Sequence, residues 1–212
     1  MLAGLAQLKP TLAVAAMAIV SALLSAYEEG TAETEAFGVP VLPGVYFGLV
    51  IALATYLWAG RNVLGTAIAL MGTVLAWIAA AKLSVHIYTT IDSEVQDVIS
   101  SIKRVPQSPE PLKLPLSLDY LLGLCGIVGG FVGAAITVLG VAVTAKPMRS
   151  VSRWVPTIMI GTVLGALLEF YAPKSDTGSV LKVLHIGSLL PLYVCWQMAV
   201  AASIAHGLSA ES

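Results

Sequence analysis

The feature that most constrains this chain is a series of long apolar runs separated by short polar segments. Of its 212 residues, 58% are hydrophobic and only 11% are charged, whereas ordinary soluble domains are roughly 25% charged. Six membrane-spanning helices of about 20 residues each would use roughly 120 residues, which leaves enough chain to connect them. The composition excludes a disordered chain, and the net charge of -1 gives no sign of nucleic-acid binding.

These runs predict an all-α fold, a polytopic transmembrane helical bundle of about six spans. Lipid offers the backbone no hydrogen-bond partners, so each run must satisfy its own backbone as a helix. The first run could also be interpreted as a signal peptide, but we interpret it as the first membrane helix. Residues 1–212 then form a single transmembrane domain, whose predicted spans are 11–27, 43–60, 63–88, 118–145, 154–172 and 180–206.

The connection 89–117 is the one long segment predicted outside the membrane. Its first half carries apolar residues at the spacing of one helical face, and its second half, 106–115, contains four prolines. We therefore predict an extramembrane amphipathic helix between spans three and four. It rests on the bundle or the headgroups, or it serves as a docking element or a lid. The apolar residues of this helix are Ile91, Val95, Val98, Ile99 and Ile102.

The basic residues in the short connections predict the orientation of the bundle. The connection 28–42 has no lysine or arginine, whereas the connection 146–153 has Lys146, Arg149 and Arg153. Basic residues favour the cytoplasmic side, so both termini are predicted to be cytoplasmic. We expect an integral protein of a bacterial inner (plasma) membrane.

Five polar residues are predicted to lie in the outer third of this bundle and are the candidate site residues. Charged side chains near the bilayer centre cost roughly 2.5–3.5 kcal/mol on insertion scales, so they are functional candidates by default. We call this set the outer polar cluster, and it consists of Lys82, His86, Asp119, Glu169 and His185.

Four interpretations of the outer polar cluster stay open. In the first, Glu169 forms an ion pair with Lys82 and the histidines are satisfied at the interface. In the second, the cluster lines a polar entrance for a solute or a proton. In the third, the ligands of a divalent metal are His86, Asp119, Glu169 and His185, although no His-Glu-x-x-His spacing supports this. In the fourth, His86 and His185 ligate a haem. We assign no catalytic residue, no metal and no cofactor from the sequence.

Glycines in the fourth and fifth runs form small-xxx-small pairs, which let helices approach closely in membranes. They predict tight packing of these two helices, with homo-oligomerisation through the same face as the alternative. The glycines concerned are Gly126, Gly129, Gly130, Gly133, Gly161 and Gly165.

In the sixth run, Pro191 predicts a kink near Leu190 because proline removes a backbone hydrogen bond.

Two classes of function remain. The first is a non-catalytic subunit or an assembly or accessory factor of a membrane complex, because few polar groups fall at mid-bilayer depth. The second is a small-solute transporter or channel, with the outer polar cluster as its entrance and Pro191 breaking the last helix. An enzyme ranks third because no catalytic constellation stands out. The predicted partners are the lipid bilayer and either another membrane protein or a second copy of this chain, without nucleic acid.

Overall fold

The computed structural model describes residues 2–31, 35–36, 39–103, 118–171 and 190–209. Within these ranges the chain forms six α-helices, which confirms the predicted all-α class. A 3₁₀ turn at Lys146–Arg149 joins the fourth helix to the fifth. The helices are α1 (Leu2–Thr31), α2 (Leu42–Trp58), α3 (Val63–Lys103), α4 (Leu118–Thr144), α5 (Val151–Tyr171) and α6 (Leu190–Ser209).

The helices pack side by side in the order of the sequence. Each helix contacts the next one, and α6 returns to pack against α1, so the six helices close into a ring. Helix α6 also contacts α2 and therefore leans into the middle of the ring. Between Tyr193 and Ser209 its only exposed residue is His206. Helix α6 is thus the central helix of the bundle.

Large apolar side chains cover the outside of the ring. On α5 they recur every four residues, which places them on one outward face. The buried polar residues, by contrast, are all uncharged serines, threonines and one glutamine within the described part of the chain. An apolar exterior of this extent is typical of contact with lipid rather than water. The outward residues of α5 are Val151, Val155, Met159, Val163 and Leu167.

Three helices are long and apolar enough to cross a membrane. Their spans are Pro10–Tyr27, Val63–Ile87 and Gly123–Thr144. Helices α2 and α5 contain shorter apolar stretches, Leu42–Trp58 and Val151–Leu167. The architecture is therefore that of a helical, membrane-associated protein.

Helix α3 corrects the prediction of a separate amphipathic helix after the third span. The segment 91–103 is helical, but it continues α3 without a break for 41 residues in total. No glycine or proline lies between Tyr88 and Lys103, so nothing interrupts the backbone hydrogen bonding there. The last 16 residues extend the helix by about 24 Å beyond its apolar stretch. The proline-rich segment 106–115 lies outside the described residues.

The connection between α1 and α2 contains a short ribbon that the sequence analysis did not predict. Strands β1 (Glu35–Ala36) and β2 (Val39–Pro40) pair antiparallel, with Glu35 opposite Pro40. The indole Nε1 of Trp77 donates a hydrogen bond of 2.6 Å to the carbonyl of Pro40. Helix α3 therefore holds this connection against its own side.

The turn between α2 and α3 is tight, and it depends on unusual backbone conformations. Gly60 has φ +105°, and Arg61 follows with φ +56°. Glycine adopts a positive φ at little steric cost, whereas arginine does so rarely. The side chain of Asn62 then accepts a hydrogen bond from the Gly65 backbone N–H at 3.3 Å, which caps the start of α3.

The predicted kink at Pro191 is not tested by the structure. Helix α6 is described from Leu190, so Pro191 is its second residue. The chain before it, residues 172–189, lies outside the described residues, so a bend there stays a prediction.

Candidate functional site

The central helix carries a buried amide that is bonded on both sides. The side chain of Gln197 is only 1% exposed. Its Oε1 accepts a hydrogen bond of 2.7 Å from Ser21 Oγ, and its Nε2 donates one of 3.1 Å to Ser25 Oγ. Ser25 Oγ also donates to the backbone carbonyl of Ser21 at 2.9 Å. We call these three residues the Gln197 clamp, and it fastens α6 to α1.

The sequence of α1 explains why the clamp forms there. Ser21 and Ser25 are four residues apart and so lie on one face of the helix. The buried alanines Ala18, Ala22 and Ala26 share this side of α1. Small side chains let α1 approach α6 closely enough for short serine hydroxyls to reach the amide. All three clamp residues are neutral, so the clamp holds helices together and has no group for acid–base chemistry.

Trp196 precedes the clamp and contacts other helices. Its indole Nε1 donates a hydrogen bond of 3.0 Å to the carbonyl of Gly161 on α5. Its ring lies 5.5 Å from the ring of Phe47 on α2, centroid to centroid. It also packs on Gly133 of α4, where an added Cβ would lie 3.3 Å from the indole. Successive residues on a helix point about 100° apart, so residues 196 and 197 together connect α6 to four other helices.

The glycines of α4 and α5 bring the two backbones into contact. A Cβ added to Gly161 would lie 2.5 Å from Ala134 Cβ and 3.0 Å from the carbonyl oxygen of Gly130. A Cβ on Gly165 would lie 3.1 Å from the Cα of Gly130 and would clash with the carbonyl of Gly126. A side chain at these positions would therefore separate α4 from α5.

The remaining two predicted glycines meet other helices. A Cβ at Gly129 would lie 2.5 Å from Ser84 Oγ on α3, and that hydroxyl donates to the Cys125 carbonyl at 3.0 Å. Gly133 lies under Trp196, as described above. The glycines of α4 therefore lie at close contacts with three helices, α3, α5 and α6.

An open apolar groove lies between α3 and α4 on the outside of the bundle. The two helices cross at Gly72 and Gly140, where a Cβ on Gly72 would lie 3.1 Å from the Cα of Gly140. The groove has a volume of about 420 Å³ and is lined almost entirely by apolar atoms. Its walls include Met71, Leu75 and Leu139, which are exposed. Such a surface suits lipid chains or another apolar helix.

A second set of contacts fixes the carboxyl end of α6. Arg153 Nη1 donates hydrogen bonds to the carbonyls of Pro147 at 2.8 Å and Gly207 at 2.9 Å. Met148 is fully buried and lies against Gly207, while Trp154 Nε1 donates to the Met148 carbonyl. A cation at the carboxyl end of a helix also complements its dipole. These contacts join the α4–α5 turn to the end of α6.

The outer polar cluster is only partly within the described residues. Lys82 and His86 are exposed and lie one turn apart on α3. Asp119 is the second residue of α4 and Glu169 is near the end of α5, but their side chains, and all of His185, lie outside the described part. Whether the five residues meet stays a prediction.

No metal site is found among the described side chains, where no three His, Cys, Asp or Glu residues lie close enough to hold an ion. Three of the four residues in the metal interpretation fall outside that part of the chain. The metal interpretation is therefore untested.

The fold and its apolar exterior define the class of the protein as a helical bundle with membrane-protein character. Comparison of the chain with protein-family models, with curated proteins and with solved structures finds no match. The evidence on function therefore consists of the contacts between the described helices.

The sequence analysis missed Ser21, Ser25 and the bonding role of Arg153. The signal available for the first two was a pair of serines four residues apart within an apolar run.

Proposed function

We propose that this chain is a non-catalytic, multi-pass subunit or assembly factor of a membrane complex, with both termini in the cytoplasm of a bacterial cell. The observation that carries this proposal is the Gln197 clamp. A carrier needs polar groups near the middle of the membrane that are available to its solute, but here the buried amide is bonded to two serines on a neighbouring helix. Trp196 and the Thr157–Ser203 hydroxyl pair, at 2.7 Å, fasten α6 to α5 in addition.

Six crossings are part of the proposal. Besides the three long apolar helices, α2 has 17 residues, α5 has 21 and α6 has 20, which correspond to about 26 Å, about 32 Å and about 30 Å. The hydrocarbon core of a bilayer is about 30 Å thick, so all three lengths suffice or nearly suffice. Side-by-side packing in sequence order would then place successive connections on alternate sides of the membrane.

Purification from the native membrane tests the proposal. The chain is tagged at its natural expression level and isolated in a mild detergent, and the mass of the intact particle is measured. We expect a complex with another chain at fixed stoichiometry, and we expect the amount of that chain in the membrane to fall when this protein is deleted. A protein that purifies alone, and whose deletion alters no other membrane protein, would contradict the subunit proposal.

One observation favours the transporter alternative. The hydroxyl of Thr137 is fully buried and has no hydrogen-bond partner within the described part of the chain. A buried hydroxyl without a partner is a group that water or a solute could bind. The hydroxyl of Thr73, equally buried, donates to the Ala69 carbonyl at 2.8 Å.

These two threonines give a matched test in vesicles that contain only the purified protein. The subunit proposal predicts no flux of ions or small polar solutes above that of empty vesicles. Flux that is lost in Thr137→Val and kept in Thr73→Val would establish the transporter and overturn the subunit proposal.

A further inference from the structure

Acidic residues gather in three stretches of the sequence, whereas basic residues are more widely spread. Every acidic residue except Glu211 falls within residues 28–35, 92–119 or 169–176, which include the last residues of α1, α3 and α5. We call the opposite end of the bundle, where α3 and α5 begin, the basic end. Its basic residues are Lys9, Arg61, Lys146, Arg149 and Arg153.

The centre of the basic end is the turn 146–153, which the fold holds in place. The side chain of Met148 is fully buried beneath the turn. The backbone N–H of Met148 donates to the Ala145 carbonyl at 3.0 Å. Arg153 and Trp154 each donate to carbonyls of the same turn. The exposed groups on this turn are therefore presented from a fixed backbone, which lowers the entropy lost when they bind a ligand.

The exposed polar groups of the turn are all suited to an anion. Lys146 and Arg149 are both exposed, and the hydroxyls of Ser150 and Ser152 lie 2.7 Å apart beside them. Lysine and arginine are the usual protein partners of phosphate. Helix α5 begins at Val151, so the N–H groups of Val151 and Ser152 lie beside these side chains, whereas that of Arg153 donates to the Ser150 carbonyl at 3.0 Å.

A further cation lies next to this turn. A Cβ added to Gly65 would lie 2.9 Å from Thr144 Cβ, so the start of α3 packs against the end of α4. Arg61 precedes the first of these helices, Lys146 follows the second, and both are exposed. The two cations therefore flank one corner of the bundle.

Apolar side chains continue directly from the anion-binding groups into the lipid-facing surface. Arg149 Nη2 donates to the Val143 carbonyl at 3.4 Å, which places its guanidinium over the end of α4. Val143 and Val151 are both 63% exposed, and Val155 is exposed one turn further along α5. A ligand with a phosphate and long apolar chains matches this arrangement better than a soluble anion does.

We propose that Lys146 and Arg149, with Ser150 and Ser152, bind the phosphate of an anionic phospholipid whose acyl chains lie along Val143 and Val151. A basic residue near an anionic lipid surface strengthens binding by about fivefold. The two cations together therefore contribute about 25-fold. Since the attraction is electrostatic and partly exposed, it weakens at high salt.

The test uses the purified full-length protein in a neutral detergent. Binding of phosphatidylglycerol is measured by native mass spectrometry and by the rise in the unfolding temperature, with phosphatidylcholine and inorganic phosphate as separate arms. The test variant is Lys146→Gln with Arg149→Gln. The control is Lys103→Gln with Lys174→Gln, which removes the same charge from residues that are not part of the basic end. Without lipid, the test variant should unfold at the wild-type temperature because both residues are exposed.

We expect wild type and control to bind phosphatidylglycerol about 25 times more tightly than the test variant. We also expect 1 M salt to remove most of the wild-type preference over phosphatidylcholine. Equal loss in both double variants, or equal binding of the two lipids by wild type, would overturn the proposal. A response to inorganic phosphate alone as large as the response to the lipid would overturn the lipid assignment. If the double variant fails to fold, the single variants Lys146→Gln and Arg149→Gln decide the question, since each should weaken phosphatidylglycerol binding about fivefold.

Discussion

Ser21 and Gln197 are 176 residues apart in the chain and are joined by a hydrogen bond of 2.7 Å inside the bundle. This bond connects the first helix to the last, and so it closes the ring of six helices. Since each interhelical hydrogen bond in a membrane protein contributes only about 0.6 kcal/mol on average, the clamp depends on the close packing of small residues around it.

The clamp predicts energetic coupling between these two residues. In a double-mutant cycle of Ser21→Ala and Gln197→Leu, we expect a coupling energy of about 0.6–1.7 kcal/mol, between the average and the largest value found for interhelical bonds in membranes. Each single change should lower the free energy of unfolding because it leaves the other polar group buried without its partner. The measurement is unfolding by titration with a denaturing detergent.

Thr66→Ala is the control for this cycle. The Thr66 hydroxyl is exposed and bonds only within its own helix, to the Asn62 carbonyl. Its loss should change the free energy of unfolding by no more than about 0.5 kcal/mol. A cycle in which the Ser21 and Gln197 effects simply add would show that the bond does not hold α1 to α6.

The glycine contact between α4 and α5 predicts that a glycine-to-alanine substitution lowers stability at Gly161 but raises it at Gly123. Gly161→Ala puts a methyl group against Ala134 and the Gly130 carbonyl, and overpacking of this kind costs about 1–3 kcal/mol. Gly123→Ala, in α4, meets nothing within 4 Å and should stabilise the helix by about 0.5–1 kcal/mol. The unfolding temperatures of the two variants provide the comparison, and equal shifts would refute the contact.

Arg153 and Arg149 lie four residues apart and should differ sharply in their effect on stability. Arg153→Gln removes a charged donor from the carbonyls of Pro147 and Gly207, for which we expect a loss of about 1.5–3 kcal/mol. Arg149→Gln changes an exposed residue and should leave the free energy of unfolding nearly unchanged in lipid-free neutral detergent. Equal sensitivity at the two positions would mean that Arg153 does not fix the end of α6.

The positions of the helices followed largely from the apolar runs, while their ends did not. Hydropathy placed the third span at 63–88, but α3 continues to Lys103 because helix continuity depends on the backbone and not on hydropathy. The absence of glycine and proline between 88 and 103 was the signal for this. The ribbon at 35–40 gave no signal, since strands of two residues have no periodic pattern.

The candidate site was less predictable than the fold. Glycine spacing indicates where helices approach closely, but it does not identify the helix that packs there. Gly133, for example, lies under Trp196 of α6 rather than against α5. The serines at 21 and 25 are short polar residues in an apolar run, and only the structure pairs them with Gln197. Charged residues marked the outer polar cluster as the candidate site, whereas the described contacts between helices come from neutral groups and from one charged residue, Arg153.

The ion-pair interpretation of the outer polar cluster makes its own prediction. If Glu169 and Lys82 form a pair, Glu169→Gln and Lys82→Met should each lower the thermal stability, because each leaves the partner uncompensated. The double variant should then be better tolerated than either single variant. Thermal unfolding in detergent checks this, and two single variants as stable as wild type would rule the pair out.

The membrane-spanning bundle itself is tested most directly by the sidedness of its connections. Single cysteines are placed at Arg61 and Arg149, and at Glu35 and Asp176, in a chain lacking Cys125 and Cys195. They are then treated with a membrane-impermeant maleimide. We predict that Glu35→Cys and Asp176→Cys react in intact cells, whereas Arg61→Cys and Arg149→Cys react only after the membrane is permeabilised. Reaction of all four from one side, or a split within either pair, would contradict six crossings.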